Sequence, residues 1–443
     1  MQMNDMIMVS VDDHVIEPAD MFARHTPAGQ QDRFPKVVAN GDVEAWSWQG
    51  RIIPNLALNA VAGRRPEEYG FEPTGYQQIR RGCFDVQARV DDLSANGVLA
   101  GLCFPTWPGV YGAVFLKEPD KALALDVMQR YNDWYMAEWV GAAPGRLIPC
   151  TLVPLWDPHA AAQEIVRMKQ LGCNSISLPP NPVAESLPSW HQPYWDPILK
   201  ACADHDVVIN LHIADATSAV PSPDSAIDAF ISVMGVSLYS TAVDLVFSPV
   251  FRKFPRLRFG LSEGGAGWVP QAMERMDFIY KRHRCWTRQD FGDKLPSDIF
   301  REHFYSCIVV DRVSLRNRHD VGLQTLMWEC DYPHAEATWP RSPEIFWEDL
   351  QSVPGGVPDA EIDAITHRNA LRAYAFDPFR HRPRERCTVG ALRAEAKHVD
   401  LGYLPTGGIP PRREGEGVVS LGDVMKQLGA AYQLEFSRKK QAA

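Results

Sequence analysis

The chain has 443 residues, of which 45% are hydrophobic and 23% are charged, so it can bury a large core and has an ordinary globular composition. Its formal net charge of -10 argues against general nucleic-acid binding, which requires a basic face. No apolar stretch approaches the roughly 20 residues that cross a bilayer, so we expect no association with a membrane. One barrel-type domain of roughly 250 to 350 residues with insertions and a tail is compatible with this length, as are two or three separate domains.

The nine cysteines are scattered, odd in number and mostly embedded in apolar runs. This pattern is typical of free thiols in a reducing compartment, and not of a disulfide framework or a Cys-x-x-Cys zinc site. The N-terminal stretch lacks the basic region, apolar run and small-residue cleavage site of an export signal. We therefore expect a cytoplasmic protein.

From about Val98 onward, short apolar runs rich in β-branched residues alternate with longer segments of helical period, which indicates repeated βα units. With an apolar run near the N-terminus they predict eight strands, at residues 7–11, 99–104, 147–153, 175–178, 207–212, 257–262, 304–309 and 325–330. The predicted helices include residues 120–140, 158–171, 194–204, 267–282 and 312–321. No Gly-x-Gly-x-x-Gly segment follows the first strand. The pattern therefore favours an α/β fold of the (β/α)8 type, a TIM barrel, over an open doubly wound sheet.

Two regions fall outside this alternation. Residues 22–87 are rich in Gly, Pro and Trp, and the segment from Trp46 to Arg51 predicts a small hairpin. We expect this region to be an insertion over the mouth of the barrel. Residues 377–443 begin with an Arg-rich and Pro-rich segment, and we expect a C-terminal extension that packs on the barrel or on a partner subunit. The barrel itself is assigned to residues 1–376.

Candidate metal ligands lie where predicted strands end, which is where barrel enzymes place their chemistry. Asp12 and His14 lie at the end of the first strand, and side chains two residues apart on a strand point to the same face. His212 ends the fifth strand, and Asp331 follows the eighth strand, three residues before His334. Two imidazoles and two carboxylates offset the charge of a divalent cation, with zinc or manganese as suitable ions. The alternatives are a capping turn for the first pair and ordinary core histidines.

Three motifs occur in this order along the chain: Asp12-x-His14, Asn210-Leu211-His212 and Cys330-Asp331-Tyr332-Pro333-His334. In order and spacing they resemble the amidohydrolase superfamily, and within it the branch of aminocarboxymuconate-semialdehyde decarboxylase and the hydroxybenzoate and resorcylate decarboxylases. The resemblance extends over about residues 6–376. It has three supporting fragments, which are Arg89-x-x-Asp92, Tyr194-Trp195-Asp196-Pro197 and Asn369-Ala370.

The resemblance implies a (β/α)8 barrel with one divalent metal ion bound by Asp12, His14, His212 and Asp331. Zinc or manganese is the expected ion, and iron is a further option. The resemblance also implies that Asp331 moves a proton and that the enzyme is a homodimer. The fourth predicted strand contains no lysine, so a carbamylated lysine that would bridge a second metal ion is not available there.

The chain departs from the family pattern in two places. The first motif of the family is usually His-x-His or Glu-x-His, whereas this chain has an aspartate at residue 12. The sixth strand of the family usually ends in a histidine followed by glycines, but here Glu263 precedes Gly264 and Gly265. Glu263 could ligate the metal, act as a base, hold another residue or merely pair with a nearby arginine.

Other residues near strand ends are candidates of lower specificity. We expect His334 to relay or donate a proton near the metal, and Glu17 to be structural, for instance in a salt bridge at the mouth. Arg312 could meet a substrate carboxylate. Three tryptophans that follow predicted strands could wall a planar substrate or simply pack the loops; they are Trp107, Trp268 and Trp339.

The favoured function is non-oxidative decarboxylation of a small aromatic or unsaturated carboxylic acid, with Asp331 as proton donor, His334 as relay and Glu263 tuning the protons of the site. The alternative is metal-dependent hydrolysis of an amide, a lactone or a carbon–carbon bond, in which Asp331 or Glu263 takes a proton from water. The same ligands serve both reactions. A non-catalytic barrel is the third hypothesis. The expected partner is a small carboxylic acid substrate.

Overall fold

The computed structural model of this protein describes residues 1–26, 29–41, 43–53, 57, 59–69, 73–213, 222–404, 417–424 and 426. Each of the eight predicted strands is present. In chain order the strands are β1 (Val9–Val15), β2 (Lys36–Asn40), β3 (Val43–Trp48), β4 (Arg51–Ile53), β5 (Ala100–Pro105), β6 (Leu147–Ile148), β7 (Ser175–Leu178), β8 (Val208–His212), β9 (Phe259–Ser262), β10 (Phe304–Ile308) and β11 (Leu326–Trp328).

Two parallel sheets contain the eight predicted strands. Their orders are β1-β5-β6 and β11-β10-β9-β8-β7, and every residue of these strands is buried. Burial on both faces explains why the strands are short, nearly continuous apolar runs. Large side chains such as Phe104, Phe259 and Trp328 fill the interior.

Backbone contacts join the two parallel sheets at both edges. Thr151, just after β6, forms a parallel bridge to Ile176 of β7, and Asp13 of β1 forms one to Tyr332, which follows β11. At this second junction the amide of His14 donates to the carbonyl oxygen of Tyr332 at 2.7 Å. The strands of the two sheets therefore follow one another in chain order, and the segment after β11 lies beside β1.

Helices connect successive strands and extend beyond the last one. They are α1 (Met21–His25), α2 (Val86–Asn96), α3 (Ala113–Leu116), α4 (Lys121–Trp134), α5 (Pro158–Gln170), α6 (Asp196–His205), α7 (Ile227–Val233), α8 (Val236–Phe247), α9 (Val250–Lys253), α10 (Val269–Thr287), α11 (Pro296–His303), α12 (Arg312–Arg316), α13 (Arg318–Val321), α14 (Ser342–Gln351), α15 (Asp359–Asp363), α16 (Asn369–Ala373) and α17 (Val389–Glu395).

Local sequence explains several helix boundaries. The side chains of Asp85, Asp120 and Asp157 cap α2, α4 and α5 by accepting hydrogen bonds from first-turn amides. The helix predicted over residues 312–321 is in fact two helices, because α12 ends at Arg316 and α13 begins at Arg318, with Asn317 between them.

The first strand differs from its prediction in a way that affects the site. It continues to Val15, so Asp12 and His14 lie within β1 and not in a loop after it. The pairing of β1 with β5 shifts register between Ser10 and Asp13, where β1 contains one extra residue. Such a bulge bends a strand and re-aims its side chains, and bulges are frequent beside active sites.

The predicted hairpin in the N-terminal region is confirmed. Strands β2, β3 and β4 form an antiparallel sheet in which β3 and β4 meet at a turn, with Gln49 and Gly50 at positive φ. Trp46 of this sheet stacks on Trp107 with ring centroids 5.1 Å apart. The amide of Ala62 donates to the carbonyl oxygen of Pro333 at 2.9 Å. That this region is an insertion over the mouth stays a prediction.

The described part of the C-terminal extension lies against the rest of the chain. The amide of Val389 donates to the carbonyl oxygen of Met6 at 2.8 Å, and the amide of Leu404 donates to that of Gly63 at 2.8 Å. Residues 405–416, 425 and 427–443 lie outside the described residues. The division of the chain at residue 376 and any contact of the extension with a partner subunit stay predictions.

Helices α7 and α8 together span Ile227–Phe247, which is 21 residues and contains an 18-residue window with a mean hydropathy of 1.7. By length and composition this span could cross a membrane, so the expectation that no apolar stretch reaches this length is wrong. Length and composition are weak grounds, however, because a core helix of a globular protein passes the same test. In the structure α8 buries Leu238, Ala242 and Leu245.

The close approach of β5 to β1 predicts that Gly101→Ala destabilises the fold. A Cβ at Gly101 would lie 2.1 Å from Asp13 Oδ2, and Asp13 is itself buried and hydrogen-bonded. We expect the free energy of unfolding to fall by about 1–3 kcal/mol, as is usual for overpacking. Chemical denaturation measures this change. Gly267→Ala is the matched control, since a Cβ there has ordinary contacts at 3.4 Å. Equal stability of the two variants would contradict the packing at Gly101.

Candidate metal centre

Four candidate ligands from three parts of the chain converge at the carboxyl ends of the strands. Asp12 and His14 belong to β1, His212 is the last residue of β8, and Asp331 follows β11. One ligand atom from each of Asp12, His14 and His212 lies within 4.8 Å of the other two, and the same holds for His14, Asp331 and His334. All five side chains are buried. The structure thus brings together the predicted ligands, whose roles stay predictions.

The ligand atoms have the spacing of groups around a single ion. His14 Nε2 lies 3.2 Å from His212 Nε2, 3.3 Å from Asp331 Oδ1 and 3.5 Å from Asp12 Oδ1. His212 Nε2 lies 3.3 Å from Asp12 Oδ2. Atoms bound at about 2.0–2.2 Å to one ion stand roughly 3–3.5 Å from one another, so these four side chains fit one divalent cation.

The electrostatics of Asp12 and His14 also fit a cation. Both carboxylate oxygens of Asp12 are buried and accept no hydrogen bond from any residue that the structure describes. Burial, with the charges of Asp331 and Asp13, raises the pKa of Asp12 well above its ordinary value. Burial and the neighbouring His334 lower the pKa of His14, so its imidazole is neutral, as a metal ligand must be. A cation would compensate the orphaned carboxylate.

A backbone carbonyl orients the His212 imidazole, and a buried guanidinium holds the backbone of His14. His212 Nδ1 lies against the carbonyl oxygen of Ile213, which assigns the proton to Nδ1 and leaves the Nε2 lone pair free to bind a metal. The carbonyl oxygen of His14 accepts a hydrogen bond from the buried Arg89 guanidinium. The Arg89-x-x-Asp92 fragment of the sequence therefore lies directly behind the first motif.

Asp331 and His334 form a close pair beside these ligands. His334 Nδ1 lies 2.8 Å from Asp331 Oδ1, and the His334 ring lies 4.0 Å from the His14 ring between centroids. Burial alone would raise the pKa of Asp331, but His334 and His14 together hold it well below its ordinary value. Asp331 also has a φ of 62°, a conformation that non-glycine residues adopt rarely. This arrangement places a carboxylate and an imidazole where a proton can pass between them.

Glu263 faces the metal ligands. Its Oε2 lies 3.4 Å from His212 Nε2, so the recorded partner of this carboxylate is a histidine and not an arginine. Burial and the charge of Asp331 raise its pKa well above its ordinary value. The position of Glu263 is compatible with ligating a metal, acting as a base or holding His212, and the geometry leaves these three roles open.

The sequence interpretation missed Glu329. This buried side chain accepts a hydrogen bond from the backbone amide of Glu263 at 3.1 Å, and its other oxygen accepts none from the residues that the structure describes. Burial and the charge of Asp12 raise its pKa well above its ordinary value. The available signal was the spacing of Glu329 and Asp331, because side chains two residues apart on an extended segment point to the same face.

Several weaker candidates have structural contacts instead. Trp107 packs against Trp46, and Arg80 lies over the ring of Trp339 at 4.3 Å from its centroid. Arg312 pairs with Asp349 at 2.5 Å, so its guanidinium is engaged outside the cluster. These contacts favour loop packing and a surface ion pair over substrate binding.

Glu17 is structural, but through hydrogen bonds and not through a salt bridge. Its buried carboxylate accepts from the amides of Thr106 and Trp107, both at 3.0 Å, and from the hydroxyl of Tyr131 at 2.9 Å. It thereby fastens the chain after β1 to the chain after β5. Burial outweighs these three donors and raises the pKa of Glu17 to about 7.

Comparison with known proteins identifies the family. A family model described as amidohydrolase matches residues 48–376, which is more than half of the chain, and the chain therefore belongs to the amidohydrolase family. The match begins after Asp12 and His14. The support for these two residues as candidate ligands is therefore their geometry in the structure. The family implies a TIM-barrel α/β fold, and the two parallel sheets are compatible with it.

Curated and solved relatives include aromatic-acid decarboxylases. The chain is 28% identical over 349 residues to a γ-resorcylate decarboxylase of Rhizobium sp. (strain MTP-10005), covering 72% of this chain and 96% of that protein. An amidohydrolase structure from Mycobacterium avium subsp. paratuberculosis has a TM-score of 0.64 at 19% identity, covering 83% and 99% of the two chains. The predicted resemblance to the decarboxylase branch is thus confirmed, and the relatives support the prediction of an enzyme.

One solved relative contains a metal ion. A dihydroxybenzoic acid decarboxylase from Polaromonas sp. JS666 was solved with bound manganese and the inhibitor 2-nitroresorcinol. Its TM-score is 0.52 at 18% identity, with coverage of 83% of this chain and 96% of that one. Metal binding by a relative of this fold agrees with the ligand cluster described above.

The cluster predicts that divalent ions stabilise the protein. Addition of Mn²⁺ or Zn²⁺ to metal-stripped protein should raise the melting temperature by a few degrees, since a ligand at 100 times its Kd contributes about 2.7 kcal/mol. His212→Ala should remove most of this shift. His191→Ala, at an exposed ion pair with Asp244, is the control and should respond like the wild type. An unchanged melting temperature with both metals would argue against the centre.

The environment of Glu17 predicts a pH-dependent contribution to stability. Its pKa of about 7 in the fold exceeds the ordinary value of 4.5, so folding favours the protonated carboxyl. This contribution is complete below about pH 4.5 and is lost as the pH rises to about 7. Relative to Glu17→Gln, the wild type should lose up to about 3 kcal/mol between pH 5 and pH 8. Urea denaturation at both pH values checks this, with the exposed Glu385→Gln as control.

Proposed function

We propose that this protein is a metal-dependent, non-oxidative decarboxylase of a small aromatic carboxylic acid and that its strands close into a (β/α)8 barrel. The observation that carries the proposal is the pairing of Asp331 Oδ1 with His334 Nδ1 at 2.8 Å, directly beside the buried cluster of Asp12, His14 and His212. A carboxylate and an imidazole in contact, next to a cation site, supply both a charge sink and a proton path.

The relatives support this choice of reaction. The γ-resorcylate decarboxylases match this chain over most of their own length, and the Polaromonas enzyme binds manganese with a nitro analogue of resorcinol. We therefore propose a dihydroxybenzoate or a closely related phenolic acid as the substrate. Manganese is supported by that relative, whereas zinc is supported by the mixed imidazole and carboxylate ligands.

Asp12, His14, His212 and Asp331 would hold the metal ion. A divalent ion bound there supplies positive charge for the carboxylate and the neighbouring phenolic oxygen of an aromatic acid. The four side chains are buried, so water is largely excluded from the surroundings of the reacting groups.

Protein side chains would perform the proton transfer. Asp331, whose pKa is held low, would receive a proton from His334 and deliver it to the ring carbon that carries the carboxylate. The bond from this carbon to the carboxylate then breaks, carbon dioxide leaves, and the electron pair returns to the ring. His334 Nδ1, at 2.8 Å from Asp331 Oδ1, would return a proton to the aspartate. One proton is consumed for each carbon dioxide released, as non-oxidative decarboxylation requires.

Glu263 occupies the position at the end of the sixth strand where the family pattern usually has a histidine. Its carboxylate lies 3.4 Å from His212 Nε2 and 3.1 Å separates its amide from Glu329 Oε1. We propose that Glu263 holds His212 and adjusts the protonation of the site. The cytoplasmic location, the homodimer and the N-terminal insertion over the mouth remain part of this proposal.

Asp331→Asn tests the assignment of the proton donor. With Mn²⁺ bound, the wild type should release carbon dioxide from γ-resorcylate, and the variant should be slower by roughly 10²–10⁴-fold because the amide cannot donate the required proton. Metal content and melting temperature, measured on the same samples, separate loss of the proton from loss of the ion or of the fold.

A substrate panel tests the reaction class. Metal-loaded protein is incubated with hydroxybenzoates, lactones and amides while carbon dioxide and hydrolysis products are followed. Hydrolysis without carbon dioxide would reject decarboxylation in favour of the hydrolase hypothesis. Full activity of Asp331→Asn would reject the role of this residue.

A further inference from the structure

Tyr332 separates Asp331 from the Pro333-His334 pair and is fixed at three points. Its amide donates to Asp13 Oδ1 at 3.1 Å, and its carbonyl oxygen accepts from the amide of His14 at 2.7 Å. Its hydroxyl donates to Asp92 Oδ2 at 2.6 Å. The first two contacts join it to β1, while the third reaches a different element, helix α2.

Asp92 is itself held rigidly. Arg80 contacts both of its oxygens, with Nη2 at 2.6 Å from Oδ1 and Nε at 3.1 Å from Oδ2. The indole of Trp339 donates to the backbone carbonyl oxygen of Asp92 at 3.1 Å, and the Arg80 guanidinium lies over the same indole. Two-point contact between a guanidinium and a carboxylate fixes the orientation of the carboxylate as well as its charge. Asp92 therefore presents Oδ2 to the Tyr332 hydroxyl in one defined position.

The surrounding chain leaves little room for other arrangements. A Cβ at Gly82 would lie 2.3 Å from Asp92 Oδ2 and 3.0 Å from the Tyr332 hydroxyl. Arg89 lies over the Tyr332 ring at 4.5 Å from its centroid and donates to the carbonyl oxygen of Gly82 at 2.7 Å. The tyrosine ring and the aspartate thus lie in a closely packed layer behind the candidate metal centre.

Asp331 requires such support. Its φ of 62° lies in the left-handed region. A non-glycine residue keeps this conformation when contacts with the surrounding structure hold it there. The backbone contacts of Tyr332 to β1 fix one side of the Asp331 peptide. The amide of Asp331 itself donates to the carbonyl oxygen of Asp12 at 2.7 Å, and the Tyr332 hydroxyl adds an anchor from the side chain of the next residue.

We propose that Asp92, oriented by Arg80, is a positioning residue that acts through the Tyr332 hydroxyl to hold Asp331 and His334 in their reactive arrangement. The inference rests on the proposed function of that pair. It also gives the C-terminal extension a contact with the site, because Arg80 Nη2 donates to the carbonyl oxygen of Asp400 at 3.1 Å. Asp92 touches neither substrate nor metal in this assignment.

Tyr332→Phe and Asp92→Asn test the proposal. In both variants kcat for γ-resorcylate should fall about 10–100-fold, while KM changes by less than about 3-fold, because binding is retained and the proton donor is misplaced. The Kd for Mn²⁺, measured from the electron paramagnetic resonance signal of the free ion, should rise by up to about 10-fold, since Asp331 is also a candidate ligand.

Tyr135→Phe is the matched control. Tyr135 is a buried tyrosine whose hydroxyl donates to the carbonyl oxygen of Cys103 at 2.8 Å, away from the Asp331 segment. It should lower the melting temperature comparably but leave kcat and the Kd for Mn²⁺ unchanged. If Tyr332→Phe and Asp92→Asn resemble this control in kcat and in Mn²⁺ affinity, the proposal is overturned.

Two further measurements keep the test decisive. Arg80→Lys retains the charge beside Asp92 but not the two-point contact, and it serves if Asp92→Asn does not fold; an intermediate loss of kcat is expected. If the wild type releases no carbon dioxide, the proposed function fails. The Mn²⁺ affinities then still decide whether Asp92 and Tyr332 position Asp331, because that readout does not depend on turnover.

Discussion

The candidate metal centre depends on the free-energy cost of burying several carboxylates close together. Asp12, Glu263 and Glu329 all have a raised pKa, for which burial is the largest cause and a neighbouring carboxylate is the next. Buried carboxylates this close are stable when they are paired with a cation or carry protons. The imidazoles of His14 and His212 add no positive charge when neutral. A divalent cation is the simplest group that offsets this repulsion. The clustering of the carboxylates and the binding of a metal would therefore have the same physical basis.

The layer behind the ligands consists of residues that hold backbone and not substrate. Arg89 donates to the carbonyl oxygen of His14, and Glu17 fixes the chain after β5 through two amides. Such outer contacts usually determine whether ligands have the correct orientation before a metal binds. Because both groups are buried and hydrogen-bonded to backbone atoms, they hold the chain that carries or adjoins the candidate ligands.

Sequence patterns predicted the strands, because strands follow from the spacing of apolar residues. They also predicted that the candidate ligands converge, because parallel strands of a barrel end at the same edge. They placed the end of β1 too early, because the bulge between Ser10 and Asp13 produces no periodic pattern of apolar residues that a sequence could show. Glu329 escaped notice because it directly follows the apolar strand β11, where a polar residue is expected simply to end the strand. The contacts of Asp92 and Glu17 join residues that are distant in the chain, and a single sequence contains no signal for such pairs.

The junction of β1 with the segment after β11 has a consequence for the biosynthesis of the protein. The amide of Tyr332 and the carboxylate of Asp13 are 319 residues apart in the chain. The candidate ligands Asp12 and His14 lie on one side of this junction, and Asp331 lies on the other. A nascent chain that has not yet exposed residue 331 to solvent cannot complete the ligand set. Metal capture would therefore report that the segment after β11 has docked on β1, and a truncated product would lack the complete ligand set however well its earlier units had folded.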